Sequence, residues 1–190
     1  MNDIDPRPDL TDEISRIFRA NGFHGTTMSV ISQRTGLGRS SIYHHFGRGK
    51  TEMAGRSLDR IEKFIDVIAG AANAPDASLR TKWATIEGML RRHYEGGQLG
   101  CLLAVFAMED LPVELRGRTK LLFDYWLAAI AELYKSGGVD SSGAARSAQR
   151  DVAAIQGALI LSRAQSSGEP LDHTLAEIAA TFSELSERKF

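Results

Sequence analysis

The stretch Thr26–Lys50, TTMSVISQRTGLGRSSIYHHFGRGK, decides the reading of this chain, because two short helical patterns in it flank a glycine-bearing turn. Thr27 can accept a hydrogen bond from the free N–H groups of a helix that begins at Met28. Val30, Ile31, Arg34 and Thr35 follow at helical spacing. Gly36-Leu37-Gly38 then interrupts the period, and Arg39–Phe46 reads as a second helix with Leu37, Ile42 and Phe46 turned inward. Arg39, Ser40, Ser41, Tyr43 and His44 are left for the outside. Two helices joined by so short a turn cross steeply, and the second is then slender and exposed enough to enter a DNA major groove. Arg39 can meet guanine or a phosphate, and Ser41 can donate or accept. Tyr43 and His44 can donate to phosphate oxygens, which sets register without reading sequence. Lys50 is a further expected phosphate contact.

Charge placement agrees with a local footprint. The formal net charge of the 190-residue chain is −1, yet residues 14 to 60 hold eight Lys or Arg against Glu52 and Asp59. A basic island in a nearly neutral chain suits one bounded nucleic-acid contact better than indiscriminate coating.

The segment Phe18–Lys50 resembles the DNA-binding domain of TetR-family transcriptional regulators. Gly22-Phe23, Thr26-Thr27, Ile31, Thr35-Gly36-Leu37, Ile42-Tyr43-His44-His45-Phe46 and Lys50 fall at the spacing of that family. The resemblance implies that Arg39, Ser40, Ser41, Tyr43 and His44 lie along the groove and that Thr27, Tyr43 and Lys50 touch the DNA backbone. The family usually has Ser or Thr where this chain has Gly38, and Ala where it has Ser32 and Thr35. Gly38 is the weaker helix cap.

The rest of the chain reads as all-α. With 43% hydrophobic residues the chain can bury a core, and one cysteine cannot form an internal disulfide. Neither a metal nor a cofactor is expected, since no Cys/His ligand spacing occurs. The absence of a long apolar run argues against a membrane span, and the acidic N-terminus against a secretory signal, which makes the cytoplasm the expected location. Met1–Pro8 reads as a disordered arm, and Leu10, Ile14, Ile17 and Phe18 form the stripe of a first helix ended by Asn21-Gly22. A long helix from Lys50 to about Ala72 is expected to link an N-terminal arm and head, residues 1–50, to a ligand-binding and dimerisation domain, residues 51–190. Further helices are expected over Leu79–Tyr94, Cys101–Met108, Pro112 to about Tyr134, Ala144–Ser166 and Leu171–Glu187. The apolar run Cys101–Met108 is ambiguous with a strand, but no second strand candidate exists to pair with it.

The second domain lacks a nucleophile, general-base or metal constellation, and His24, His93 and His173 are isolated, so an enzyme is the disfavoured alternative. Its large apolar residues, among them Trp83, Met89, Phe106, Met108, Phe123, Trp126 and Ile155, are either simple core or the lining of a pocket for a small apolar effector. Resemblance to the TetR family implies such a pocket, with the ligand releasing the heads from DNA. Gly100-Cys101 before an apolar helix is similar to the subgroup typified by the lincomycin-resistance repressor. Cys101 reads as a buried thiol, or alternatively as a sensor. In the last two helices, Ala154, Gly157, Ala158, Leu161, Ile178 and Phe182 mark an expected homodimer seam or a tightly packed core, and family members pair through these helices. The expected function is a repressor released from a palindromic double-stranded DNA operator by an effector. The alternative is an activator, or a regulator controlled by a protein partner.

Overall fold

The computed structural model describes residues 9–188, so the expected arm at Met1–Pro8 lies outside the described residues. All regular structure among the described residues is helical: α1 Leu10–Gly25, α2 Met28–Thr35, α3 Arg39–His45, α4 Lys50–Ala72, α5 Leu79–His93, α6 Leu102–Ala107, α7 Val113–Ser136, α8 Ser141–Gln165 and α9 Glu169–Glu187. A single 3-10 turn, Glu95–Gly97, follows α5. Among the described residues no helix is long and apolar enough to cross a membrane.

Local chemistry explains where the helices begin. Side-chain oxygens of Asp9, Thr27, Ser78 and Asp140 accept first-turn amides of α1, α2, α5 and α8, which satisfies donors that have no intrahelical partner. Asp140 starts α8 at Ser141, three residues before the apolar pattern. Pro170 sits in the first turn of α9, where its missing N–H costs nothing. Pro112 is the residue before α7 and not, as its sequence position suggests, a first-turn residue.

The turn between α2 and α3 is braced by Ser32 and Thr35, two of the three residues that depart from the family pattern. Ser32 donates to the Leu37 carbonyl at 2.6 Å, and Thr35 donates to the Ile31 carbonyl at 2.8 Å while accepting the Leu37 amide at 3.3 Å. Gly36 takes the left-handed conformation, φ 70°, and returns its amide to Ser32. Gly38 precedes α3 with no side-chain cap, so these side-chain bonds hold a turn that a Ser or Thr cap would otherwise help to fix.

Ile14, Phe18, Phe23, Ile31, Ile42 and Phe46 close the core of the three-helix head. Helix α4 leaves that head with Leu58, Ile61, Ile65 and Ile68 buried and packs along α7. Arg118 of α7 fastens the pair by reaching the Gly55 carbonyl and the carboxylates of Asp59 and Glu62. The expected boundary after residue 50 therefore falls in the first turn of a 23-residue helix. Helix α9 closes the bundle through Phe182, whose ring lies 5.2 Å from Trp83 and 4.6 Å from Tyr134.

The two turn glycines respond differently to substitution. Gly36→Ala is expected to destabilise the protein by about 1–2 kcal/mol, because a Cβ is disfavoured in the left-handed region. Gly38→Ser should stabilise by a few tenths of a kcal/mol, since φ −66° and ψ 155° suit a capping serine and open space surrounds the site. Urea midpoints of the two variants check both signs.

Candidate functional site

Helix α3 presents Arg39, Ser40, Ser41, Tyr43 and His44 to solvent, with Tyr43 49% exposed, while Ile42 holds the helix to the head. Residues 26 to 50 contain no acidic side chain, so this exposed face is uniformly neutral or basic. Thr27 lies at the start of α2, and its oxygen accepts the Val30 amide at 3.2 Å. That bond leaves the hydroxyl proton free to donate. Lys50 is less free than its sequence position suggests: its Nζ donates to the Phe23 carbonyl at 2.9 Å and stands 4.4 Å from the centre of the Phe23 ring. One of its three donors is therefore spent on the head itself.

The seven residues expected to line a pocket do not converge. Trp83, Trp126 and Ile155 are packed in the core, Met89 is partly buried against it, and Met108 points outward with 84% exposure. Met108 closes a helix of only six residues, so the apolar run ends before its side chain can turn inward. Phe106 and Phe123 do share a site: with Ala107, Thr119 and a charged rim of Glu109, Arg116, Lys120 and Asp124 they line a cleft of about 300 Å³ between α6 and α7.

That cleft shares its residues with the junction to the head. Phe106 packs edge-on against Phe18 at 5.5 Å and against Phe23 at 6.3 Å. Glu109 places one carboxylate oxygen 3.0 Å from the Phe23 amide and the other 2.9 Å from the His24 amide. These two amides need outside partners because α1 is kinked at Gly22, φ 72° and ψ 178°, which starts a new turn with free N–H groups. Thr26 caps the opposite side by donating to the Gly22 carbonyl at 2.6 Å. His24 Nε2 lies 2.8 Å from the Asp110 carbonyl.

A second part of the junction joins the middle of α1 to α5. Arg19 is only 5% exposed and reaches the Gly100 carbonyl at 3.3 Å and His93 Nε2 at 2.8 Å. Burial, reinforced by the Arg19 charge, holds the His93 pKa down at about 3, so the ring is neutral at pH 7 and accepts from the guanidinium. Arg16 pairs with Glu95 nearby. His93, expected to be isolated, is instead packed between Arg19 and the Phe64 ring, 3.8 Å away, and the expected helix end at Asn21-Gly22 is a kink within α1; no local sequence signal points to Arg19 or Glu109 as their partners.

Ala154, Gly157, Ala158 and Leu161 line an open groove of about 550 Å³ between α8 and α9. Leu161 is 52% exposed and Ile160 beside it is exposed as well. Ile178 is 4% exposed and lines, with Ala154 and Thr174, an adjoining groove of about 340 Å³ between the same two helices. Phe182, expected in the seam or in a tightly packed core, is in the core, enclosed by Trp83 and Tyr134. Its spacing marks the inner face of α9, which helical periodicity cannot distinguish from an intersubunit face.

Comparison with known proteins agrees with this geometry. Residues 10–56 match the family described as bacterial regulatory proteins, tetR family, and residues 75–177 match the C-terminal domain of LmrA/YxaF-like transcriptional regulators. The HTH-type transcriptional regulator LmrA of Bacillus subtilis is 25% identical over 89% of this chain and 92% of its own length. An uncharacterised HTH-type regulator of Mycobacterium tuberculosis is 23% identical over 88% of this chain and 89% of its own. Among solved structures, a TetR regulator from Legionella pneumophila superposes with a TM-score of 0.81 at 18% identity, covering 95% of this chain and 99% of that one. One from Chloroflexus aurantiacus does so with a TM-score of 0.72 at 25% identity and 92% coverage of each. This chain belongs to the TetR family of DNA-binding transcriptional regulators and carries an LmrA/YxaF-like C-terminal domain.

Proposed function

We propose that this protein is a homodimeric repressor that binds a palindromic operator through α3 and is released from it by a small apolar effector bound between α6 and α7. The observation that carries the proposal is the double use of Phe106 and Glu109, which line the cleft and also hold the head. A ligand that widens the cleft by moving Phe106 must disturb the aromatic contacts with Phe18 and Phe23, or pull Glu109 from the Phe23 and His24 amides. Either change frees the end of α1 and, through it, the pair α2–α3. The apolar floor selects an apolar ligand body, and the charged rim favours polar groups at its edge.

In this reading Arg39 is the principal base reader, Ser40 and Ser41 make shorter contacts, and Tyr43, His44 and Thr27 meet phosphates. Lys50 donates to phosphate with the hydrogens that Phe23 does not use. The open α8–α9 groove supports pairing of two chains, with the small residues Ala154, Gly157 and Ala158 permitting close approach and Leu161 supplying apolar area. Residues 1–50 then form the reading unit and residues 51–190 the sensing and pairing unit.

Selection from random duplex DNA is expected to enrich an inverted repeat, and a panel of apolar compounds should contain one that lowers affinity for it. Enrichment of a single unpaired half-site would overturn the dimeric reading, and failure of every cleft-binding compound to change affinity would overturn the release mechanism. Arg39→Ala should cost about 1–3 kcal/mol on the selected site and relax preference at one position in each half, measured by competition between site variants.

The latch has its own test. Glu109→Ala is expected to cost about 1.5–3 kcal/mol of stability, the range for hydrogen bonds to a charged group. Gly22→Ala should cost at least about 2 kcal/mol, because the added methyl falls on Glu109 and the backbone there suits only glycine. Urea unfolding gives both values, and operator affinity below that of wild type in the folded Glu109→Ala protein would tie the latch to DNA binding.

A further inference from the structure

Arg19 carries a charge that the protein does not neutralise. Among the described residues no carboxylate lies within ion-pair distance of it, and its guanidinium bonds only to the Gly100 carbonyl and His93, with Tyr94 and Cys101 nearby. Two of its five N–H donors are used. Burial works against the charged form and pushes the Arg19 pKa down, yet a guanidinium stays protonated in proteins. Taking an unpaired charge out of water is costly unless a counter-charge can reach it.

A cleft of about 440 Å³ gives that access. It opens between α1 and the end of α5, with Arg19 and His93 inside, Arg92 at its edge and Leu99 supplying apolar surface. Arg92 is exposed and has no carboxylate partner among the described residues. The two acids of the lining are already engaged, Glu95 with Arg16 and Asp12 with Arg60. Counting the lining alone, Arg16, Arg19 and Arg92 stand against Asp12 and Glu95, a surplus of one positive charge.

We propose that this cleft binds the carboxylate of a small organic acid, with Arg19 meeting it from within and Arg92 closing over it from the edge. A single negative charge neutralises the lining, whereas a phosphate dianion would overshoot it and crowd Asp12 and Glu95. The planar guanidinium fork suits the two oxygens of a carboxylate, and Leu99 accepts a short apolar tail. Because Arg19 belongs to α1 and Arg92 to α5, the bound acid would pin the head to the sensing domain in the arrangement described above. The cleft shares no residue with the one between α6 and α7, so the inference stands or falls apart from the release mechanism.

Isothermal titration of the full chain with acetate, butyrate and benzoate, at ionic strength held constant with chloride, tests the site. The expected result is saturable binding of at least one of the three at one per chain, with inorganic phosphate weaker. Arg92→Gln should weaken binding roughly tenfold, equivalent to about 1.4 kcal/mol, and Arg19→Gln should abolish it. Arg92 is on the surface, so its variant keeps the test informative if Arg19→Gln fails to fold. No saturable binding of any of the three carboxylates at millimolar concentration would overturn the proposal. So would tighter binding of phosphate, or affinity unchanged in Arg92→Gln.

Discussion

The grip of one carboxylate on two consecutive backbone amides governs how the head is held. Gly22 breaks α1, and the break creates two N–H groups without a helical partner, that of Phe23 partly buried and that of His24 exposed. Glu109 accepts both, one oxygen to each, and in doing so brings the end of α6 against the end of α1. Phe106 follows and packs against Phe18 and Phe23. Without this latch the head would be joined to the larger domain through α4 and through polar contacts such as those of Arg16, Arg19, His24 and Arg48. With it, the α1–α2 corner is fixed on two sides, and the direction in which α3 points is fixed as well.

A latch of this kind has a useful strength. The Phe23 bond is partly buried and the His24 bond exposed, so the two together are worth about 1.5–3 kcal/mol, the range for a hydrogen bond to a charged group, and couplings between ligand sites typically amount to about 1–3 kcal/mol. The two scales match, so a ligand with modest differential affinity can bias the latch without unfolding the head. A larger all-apolar junction would resist such a ligand, and a looser one would leave the head unaligned in its absence. Helix α4 complements the latch: it is continuous over 23 residues and transmits rotation, while α6 has only six residues and can shift as a unit.

Local sequence carried the head and most helix boundaries, because caps, glycines and apolar spacing act within a few residues. The turn at Gly36, the cap at Thr27 and the outward set Arg39, Ser40, Ser41, Tyr43 and His44 needed no long-range information. What sequence could not provide was partnership. Glu109 meets Phe23 across 86 positions and His93 meets Arg19 across 74, and no periodicity announces either contact. Lys50 shows the same limit in reverse, since its spacing suggests a phosphate and its nearest acceptor is a carbonyl of the head. For Met108 the apolar character was read correctly but not the direction, and for Phe182 spacing left seam and core both open: a stripe tells which residues share a face, not what lies opposite. Ser32 and Thr35, visible only as departures from a pattern, acquire meaning once their hydrogen bonds to the turn are seen.

The length of α3 bears on why pairing matters. Seven residues rise about 10 Å, enough to bring only a few side chains to the floor of a groove, and Arg39 is the sole long side chain at its start. One such head offers few base contacts, each worth about 1–3 kcal/mol of discrimination. Two heads on a common frame add their contacts and gain from effective concentration, but only if the frame fixes their spacing. In the proposed dimer the frame is the α8–α9 seam, which shares no residue with the latch, while each head's orientation is set by its own Glu109. Spacing and orientation are then controlled by different residues, so an effector that loosens the latches can misalign both heads and leave the dimer intact.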